Sequence, residues 1–262
     1  MIPKKIHYCW FGRNPMPELA VKCIKSWKKH CPDYEIIQWN EDNFDIGSAP
    51  LYVRQAYEAK KWAFVTDYAR LQILLEHGGF YFDTDVELRK NLDPLRHEQC
   101  FMGIENSTRT IQVNTGLGMG AEAGFPLIEE MAESYGDIPF LLPDGSMDIT
   151  TCTVRNTEIL KRHGYVEENR MQTVAGATIY PMEYFSPTVM ESGRTRVTRN
   201  TYSIHHYSLS WTSPENQRKR KEYLKKLRYQ EAVYNIRVLP NRILKGLLGE
   251  DKYESLKERL KR

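Results

Sequence analysis

The chain has 262 residues, 41% of them apolar and 27% charged, with a formal net charge of +3. That length holds one large α/β domain with an appendage rather than two full-sized enzymatic domains, and no apolar run approaches the roughly 18 to 20 residues of a membrane-spanning helix. The charge is uneven: residues 215–262 carry 15 Lys and Arg against 7 Asp and Glu, a net of +8, which leaves −5 on residues 1–214.

Nothing near Met1 has the apolar h-region of a secretory signal. The five cysteines (Cys9, Cys23, Cys31, Cys100, Cys152) form an odd set without a C-x-x-C pair, which predicts reduced thiols and a cytoplasmic setting. In chain order, residues 5–11 read as a buried first strand, closed by Gly12 and the Pro15 and Pro17 turn. Glu18–His30 has helical spacing and stops before Cys31-Pro32, and residues 34–39 read as a second strand, completing a βαβ unit. Residues 51–77 are helical by pattern, stopped by Gly78-Gly79. Phe80-Tyr81-Phe82 then reads as a central buried strand that runs directly into Asp83-Thr84-Asp85. Residues 112–119 read as another strand, and residues 125–135 and 151–163 as helices. Pro214 opens a Lys/Arg-rich helical extension with a second break near Pro240. The expected fold class is therefore α/β over residues 1–213, followed by a basic amphipathic helical extension over residues 214–262.

In open α/β sheets the ligand crevice lies beyond the carboxyl ends of the strands, where Asp83 and Asp85 fall. Two hard carboxylates there suit Mg²⁺ or Mn²⁺ shared with substrate phosphates. A pair of aspartates in a solvated turn is the competing reading. The preceding helix adds a second signal. At 100° per residue Ala63, Phe64, Tyr68, Leu71, Leu74 and Leu75 form an apolar arc; Asp67 falls inside it, and Arg70, three residues on, shares its face. Charges on such a stripe are costly unless paired, so Asp67 and Arg70 form either a structural salt bridge or the wall of a cleft.

Taken together, the segments IHYCWFG (6–12), DYAR (67–70), GGFYFDTD (78–85) and HHYSLSW (205–211) resemble glycosyltransferase family 32, which includes capsule and lipopolysaccharide sugar transferases and fungal mannosyltransferases; the clostridial glucosylating toxins look like more distant relatives. The resemblance spans residues 1–213 and implies a GT-A-like fold (a Rossmann-related mixed sheet flanked by helices), a UDP- or GDP-sugar donor, Mn²⁺ or Mg²⁺, and retention of anomeric configuration. Carried over residue by residue, it implies that Trp10 stacks on the base, that Asp67 and Arg70 hold the donor sugar, that Asp83 meets ribose, sugar or a water-bridged metal, and that Asp85 ligates metal. A late ligand in related transferases points to His205, with His206 as the alternative, and Trp211 would close over the diphosphate. Asn114 either touches the donor sugar or closes an Asn-x-Gly turn, and Trp10 is either a pocket wall or core.

The expected activity is transfer of a sugar from a nucleotide-sugar donor to a saccharide acceptor, lipid-linked, in surface polysaccharide biosynthesis. The basic extension combines Arg218-Lys219-Arg220-Lys221 with Ile236, Val238, Leu239, Ile243, Leu244, Leu247 and Leu248. That mixture fits adsorption to an anionic membrane surface on the inner face of the cell membrane, and equally packing of the leucines against a domain. A haloacid-dehalogenase-type phosphatase expects Thr or Val where Glu87 stands. A nucleotidyltransferase expects a glycine-rich phosphate loop near the first strand, which this sequence lacks. A nucleic-acid-binding role for the extension leaves the acidic triplet without a purpose, so no nucleic acid is expected.

Overall fold

The computed structural model describes residues 1–209, 212, 214–250 and 252. They divide into two units, Met1–Trp211 and Thr212–Arg262. In the first unit the strands distribute alternate residues between two hydrophobic cores, because successive side chains of a strand point to opposite faces. In β1 (Lys5–Cys9), Ile6 and Tyr8 enter one core and Cys9 the other; in β3 (Gly79–Tyr81), Phe80 enters the first and Tyr81 the second. Covering both faces is what parallel strands inside a sheet require.

The remaining strands of the main sheet are β2 (Glu35–Trp39), β5 (Cys100–Ile104), β6 (Val113–Asn114), β7 (Met119–Ala121), β8 (Gln172–Val174) and β9 (Ala177–Tyr180). Among the described residues their order is β2-β1-β3-β7-β5-β9-β8, with β6 also on β5. β1 runs parallel to β2 and β3, β5 runs parallel to β9, and β7 is antiparallel to both of its neighbours. A separate antiparallel pair joins β4 (Val86–Leu88) to β10 (Ser203–His205). The helices are α1 (Glu18–His30), α2 (Leu51–Glu58), α3 (Trp62–His77), α4 (Pro126–Glu133), α5 (Cys152–Arg162) and α6 (Met182–Phe185), with α7 (Pro214–Leu248) in the second unit. The expected class, a mixed α/β sheet flanked by helices, is the one observed.

Three local expectations need correction. Residues 51–77 are two helices, because Lys60 adopts φ 56°, and Lys60 N–H bonds to Tyr57 O (2.9 Å) while Lys61 N–H bonds to Ala56 O (2.8 Å). That pattern is a Schellman stop built without the usual glycine, so the sequence carries no punctuation for it. Residues 112–119 are likewise not one strand: a turn at 115–118 separates β6 from β7, seeded by Asn114 Oδ1, which accepts from Gly116 N–H at 2.7 Å. The backbone of α7 stays helical through Pro240, since proline's fixed φ is itself a helical value and only one hydrogen bond is forfeited. The side chains of the apolar extension residues, Ile236, Val238, Leu239, Ile243, Leu244, Leu247 and Leu248, lie outside the described residues. No described helix is long and apolar enough to cross a membrane. All five cysteines are free and buried.

At the junction of β1, β2 and the end of α3, His7 is fully buried, and its Nε2–H donates to Gly78 O (2.9 Å) while Trp39 Nε1–H donates to its Nδ1 (3.0 Å). Both bonds are satisfied only by the neutral ring. Gly79 follows at φ 109°, and a Cβ there would lie 2.9 Å from His7 Nε2 and from Lys5 O, so the strand leading to Asp83 can start only with glycine. Burial pushes the His7 pKa down to about 4. Between its ordinary value of about 6.5 and 4 the unfolded chain binds a proton that the native chain refuses. Stability from this site is therefore fully present above about pH 6.5 and falls, by up to roughly 3 kcal/mol, as the pH drops to 4. Thermal denaturation from pH 7 to 4 should show wild-type Tm declining more steeply than that of His7→Gln; parallel declines would refute the assignment.

Candidate functional site

The site is assembled where β3 ends. Asp83 N–H bonds to Gly116 O at 3.0 Å, and the chain turns through Thr84 and Asp85 into β4. Helix α1 holds β4 in place: Trp27 Nε1–H donates to Val86 O (2.7 Å), and Leu88 N–H donates to Ser26 Oγ (2.9 Å). The β4–β10 register sets His205 opposite Val86. His205 Nε2 thereby lies 3.1 Å from Asp85 Oδ1, and Ser208 N–H donates to Asp85 Oδ2 at 2.8 Å. Burial works against the ionised carboxyl, yet the His205 charge and these hydrogen bonds outweigh it and hold Asp85 well below the usual carboxylate range. His205 is raised in turn, burial opposing and Asp85 prevailing. Tyr207 and Leu209, which bracket Ser208, sit at φ 50° and 51°, the sort of backbone strain that concentrates at functional sites.

One turn of α3 supplies the second element. Arg70 is 3% exposed, and its Nη2 stands 3.1 Å from both Asp67 Oδ1 and Asp83 Oδ1. Its Nη1 donates to Thr115 Oγ1 (3.3 Å) and lies 3.4 Å from Cys152 Sγ, and the guanidinium stacks over the Tyr81 ring at 5.1 Å. Burial opposes the charge, but Asp83 and Asp67 keep Arg70 a permanent cation. With one cation between two buried carboxylates, burial pushes both Asp67 and Asp83 up despite Arg70. Cys152, first residue of α5, stands against Asp67 and brings the positive end of that helix to the carboxylate. Asp83 is also boxed in: Tyr81 OH donates to its Oδ1 (3.2 Å), and a Cβ on Gly116 would come within 2.0 Å of its Oδ2.

These groups open on one cavity of about 770 Å³. Trp10, Asp67, Arg70, Asp83, Asp85, Asn114 and His205 all line it, so sequence reasoning and geometry converge on seven positions. Trp10 follows β1, lines the cavity and donates its Nε1–H to Asn14 O at 2.6 Å. Asn114 serves as turn and wall together, giving Nδ2–H to Glu105 Oε1 (2.7 Å) while Oδ1 seeds the Gly116 turn. His206 points elsewhere, pairing with Glu87 Oε2 at 3.0 Å, and is not part of the cavity wall; His205 is the histidine of the site. Trp211 lies outside the described residues. Glu105, Thr115, Gly116, Cys152 and Trp62 were not singled out from the sequence. Gly116 carried a signal in the Asn-x-Gly turn, whereas Glu105 depends on β5, a strand the sequence reading did not place.

Among the described residues no group of three or more His, Cys, Asp and Glu side chains is arranged to hold a metal ion. Asp85 and His205 engage each other, and an ion ligated by both would have to part them. The donor chemistry nevertheless suits Mn²⁺ or Mg²⁺: Asp83 Oδ2 accepts no hydrogen bond among the described residues, and His205 Nδ1 is buried without a partner.

Residues 17–102 match the family described as "Glycosyltransferase sugar-binding region containing DXD motif". Inositol phosphoceramide mannosyltransferase 3 of Schizosaccharomyces pombe is 36% identical over 143 residues, 53% of this chain and 38% of the relative. Subversion of eukaryotic traffic protein A of Legionella pneumophila is 27% identical over 111 residues, 32% of this chain and 17% of the relative. The chain thus spans well under half the length of the curated relatives it matches. Among solved structures, the PaToxG glycosyltransferase superposes with a TM-score of 0.47 at 18% identity, covering 62% of this chain and 69% of that one. The galactosyltransferase LgtC gives 0.41 at 15%, covering 85% and 95%.

Because Arg70 neutralises two buried carboxylates, Arg70→Met should destabilise the protein by about 3 to 5 kcal/mol near neutral pH, leaving Asp67 and Asp83 without their cation. The deficit should shrink as the pH falls and the two carboxyls take up protons. Urea denaturation at pH 7.5 and 5 measures this, and an equal deficit at both values would contradict it.

Proposed function

We propose that the protein is a metal-dependent glycosyltransferase that moves a sugar from a nucleotide-sugar donor to a saccharide acceptor. The observation that carries the reading is the Asp67–Arg70–Asp83 cluster, 3.1 Å at each contact, placed beside Asp85 and His205 on a shared cavity at the carboxyl end of β3. The match of residues 17–102 to a DXD sugar-binding region supports it, since that segment contains four of these five residues. The mannosyltransferase relatives support sugar transfer as the chemistry.

In this reading Arg70, held charged and oriented from both sides, donates hydrogen bonds to sugar hydroxyls or to the nearer phosphate. Asp67, fixed by Arg70 and the start of α5, accepts from a sugar hydroxyl. Trp10 and Trp62, both lining the cavity, offer aromatic surface to the base. Asp83 and Asp85, with His205, would hold Mn²⁺ or Mg²⁺, which when bound supplies Lewis-acid neutralisation of the departing diphosphate. Transfer with retention follows the front-face route: the bond from the anomeric carbon to diphosphate oxygen breaks, the bond to the acceptor oxygen forms on the same face, and the acceptor proton passes to the departing diphosphate.

A screen of UDP- and GDP-sugars for nucleoside diphosphate release, with and without Mn²⁺, tests the proposal. Asp85→Asn should lose metal stimulation by at least about a hundredfold while keeping its fold by circular dichroism, because it removes a charge and little volume. Full stimulation in that variant would defeat the metal assignment.

A further inference from the structure

One wall of the cavity takes no part in donor binding as described above. It is formed by residues 105–112, the connection from β5 to β6, together with Met190. The connection is fixed from behind: Ser107 Oγ–H and Thr108 N–H donate to the two carboxylate oxygens of Glu191 (2.7 and 3.1 Å), and Met190 N–H donates to Asn106 O (2.8 Å). At its base sits Glu105, 9% exposed, its backbone N–H on Gln112 O at 2.8 Å.

Glu105 is held by one oxygen only. Oε1 accepts from Asn114 Nδ2–H at 2.7 Å; Oε2 accepts from nothing among the described residues, and the residue lines the cavity. Burial pushes its pKa up, the Asn114 bond countering in part. Oε2 is not among the buried atoms that lack a partner, so it reaches the cavity space, where a ligand hydroxyl can take the place of water as its donor. The groups between it and the donor grip are already committed. Asn114 gives one end to Glu105 and the other to Gly116, and Gly116 abuts Asp83. Glu105 thus meets the cavity across Asn114 and Gly116 from Asp83, within electrostatic reach of His205.

We propose that Glu105 is a specificity-determining residue for the acceptor: Oε2 accepts a hydrogen bond from a saccharide hydroxyl. The inference rests on the glycosyl-transfer reading. At Oε2 itself a phosphate would meet a like charge and a purely apolar group would leave the carboxylate unpaired, so the acceptor group seen by Glu105 is a hydroxyl; Arg109 of the same connection also lines the cavity and is the group there that would meet any anionic part of the acceptor. Such sites reject analogues lacking the hydroxyl far more strongly than apolar pockets reject a missing methylene.

The test uses the full-length protein, a nucleotide sugar that the donor screen finds consumed, and methyl hexopyranosides with their monodeoxy analogues as surrogate acceptors. Glu105→Gln keeps an oxygen for Asn114 and replaces the free acceptor oxygen by an NH₂ donor, so it separates support of the wall from recognition. The ratio of transfer to donor hydrolysis should fall at least about tenfold in Glu105→Gln. Wild type should discriminate against one monodeoxy hexoside, and the variant should lose that discrimination. Should Glu105→Gln not fold, Glu105→Asp, which withdraws the charge by one methylene, gives the same two readouts. An unchanged ratio, an equal fall in hydrolysis and transfer, or wild-type donor hydrolysis with transfer to none of the hexosides would each overturn the assignment. A wild type that consumes no nucleotide sugar at all would fail the transfer reading itself, and this inference with it.

Discussion

A single guanidinium buried between two carboxylates organises this molecule's cavity. Arg70 lies on α3, Asp67 one turn earlier on the same helix, and Asp83 at the end of β3, so one cation ties the helix to the strand that leads into the acidic turn. Removing three charges from water is costly, and the arrangement is tolerable because each is partly compensated: Thr115, Tyr81 of β3 and the first residue of α5 supply bonds or dipoles. The same cost argues for use, since an apolar trio of similar volume would stabilise the fold as well or better. What the polar cluster provides is a set of fixed donors and acceptors at the open end of a strand.

The rest of the site is held by devices that act at a distance. Trp27 and Ser26 on α1 fix β4, β4 fixes the register of β10, and β10 sets His205 against Asp85. Gly116 has to be glycine because Asp83 occupies the space of its Cβ, and the Asn114 turn that presents Gly116 also holds Glu105. The two sides of the cavity thus share one hydrogen-bonded chain, which couples the proposed donor grip to the proposed acceptor wall.

The parts legible in the sequence were those governed by short-range periodicity. Glu18–His30 is helical over that span, and the aromatic run before Asp83 is a buried inner strand. Asp67 and Arg70 could be paired because three residues on a helix bring side chains to one face. Less legible was anything decided by tertiary contacts. The stop at Lys60 has no glycine or asparagine to announce it, and its left-handed turn is imposed by the packing of α2 and α3. Strands β4 and β10 are three residues each, too short for an alternating pattern, yet they bring His205 rather than His206 to the site. Glu105 was invisible for the same reason: its role depends on β5, whose fully buried run Cys-Phe-Met-Gly-Ile shows no alternation of apolar and polar residues.

The central claim is that this cavity breaks the bond between a sugar and a nucleoside diphosphate. Phosphorus NMR of the products formed by the full-length protein from a nucleotide sugar and Mn²⁺, recorded after the paramagnetic ion is removed on a chelating resin, is the decisive experiment, because the products reveal which bond was cut. Free nucleoside diphosphate, with the sugar on an acceptor or on water, is the expected outcome. Nucleoside monophosphate with sugar phosphate, or pyrophosphate exchange in place of diphosphate release, would contradict it.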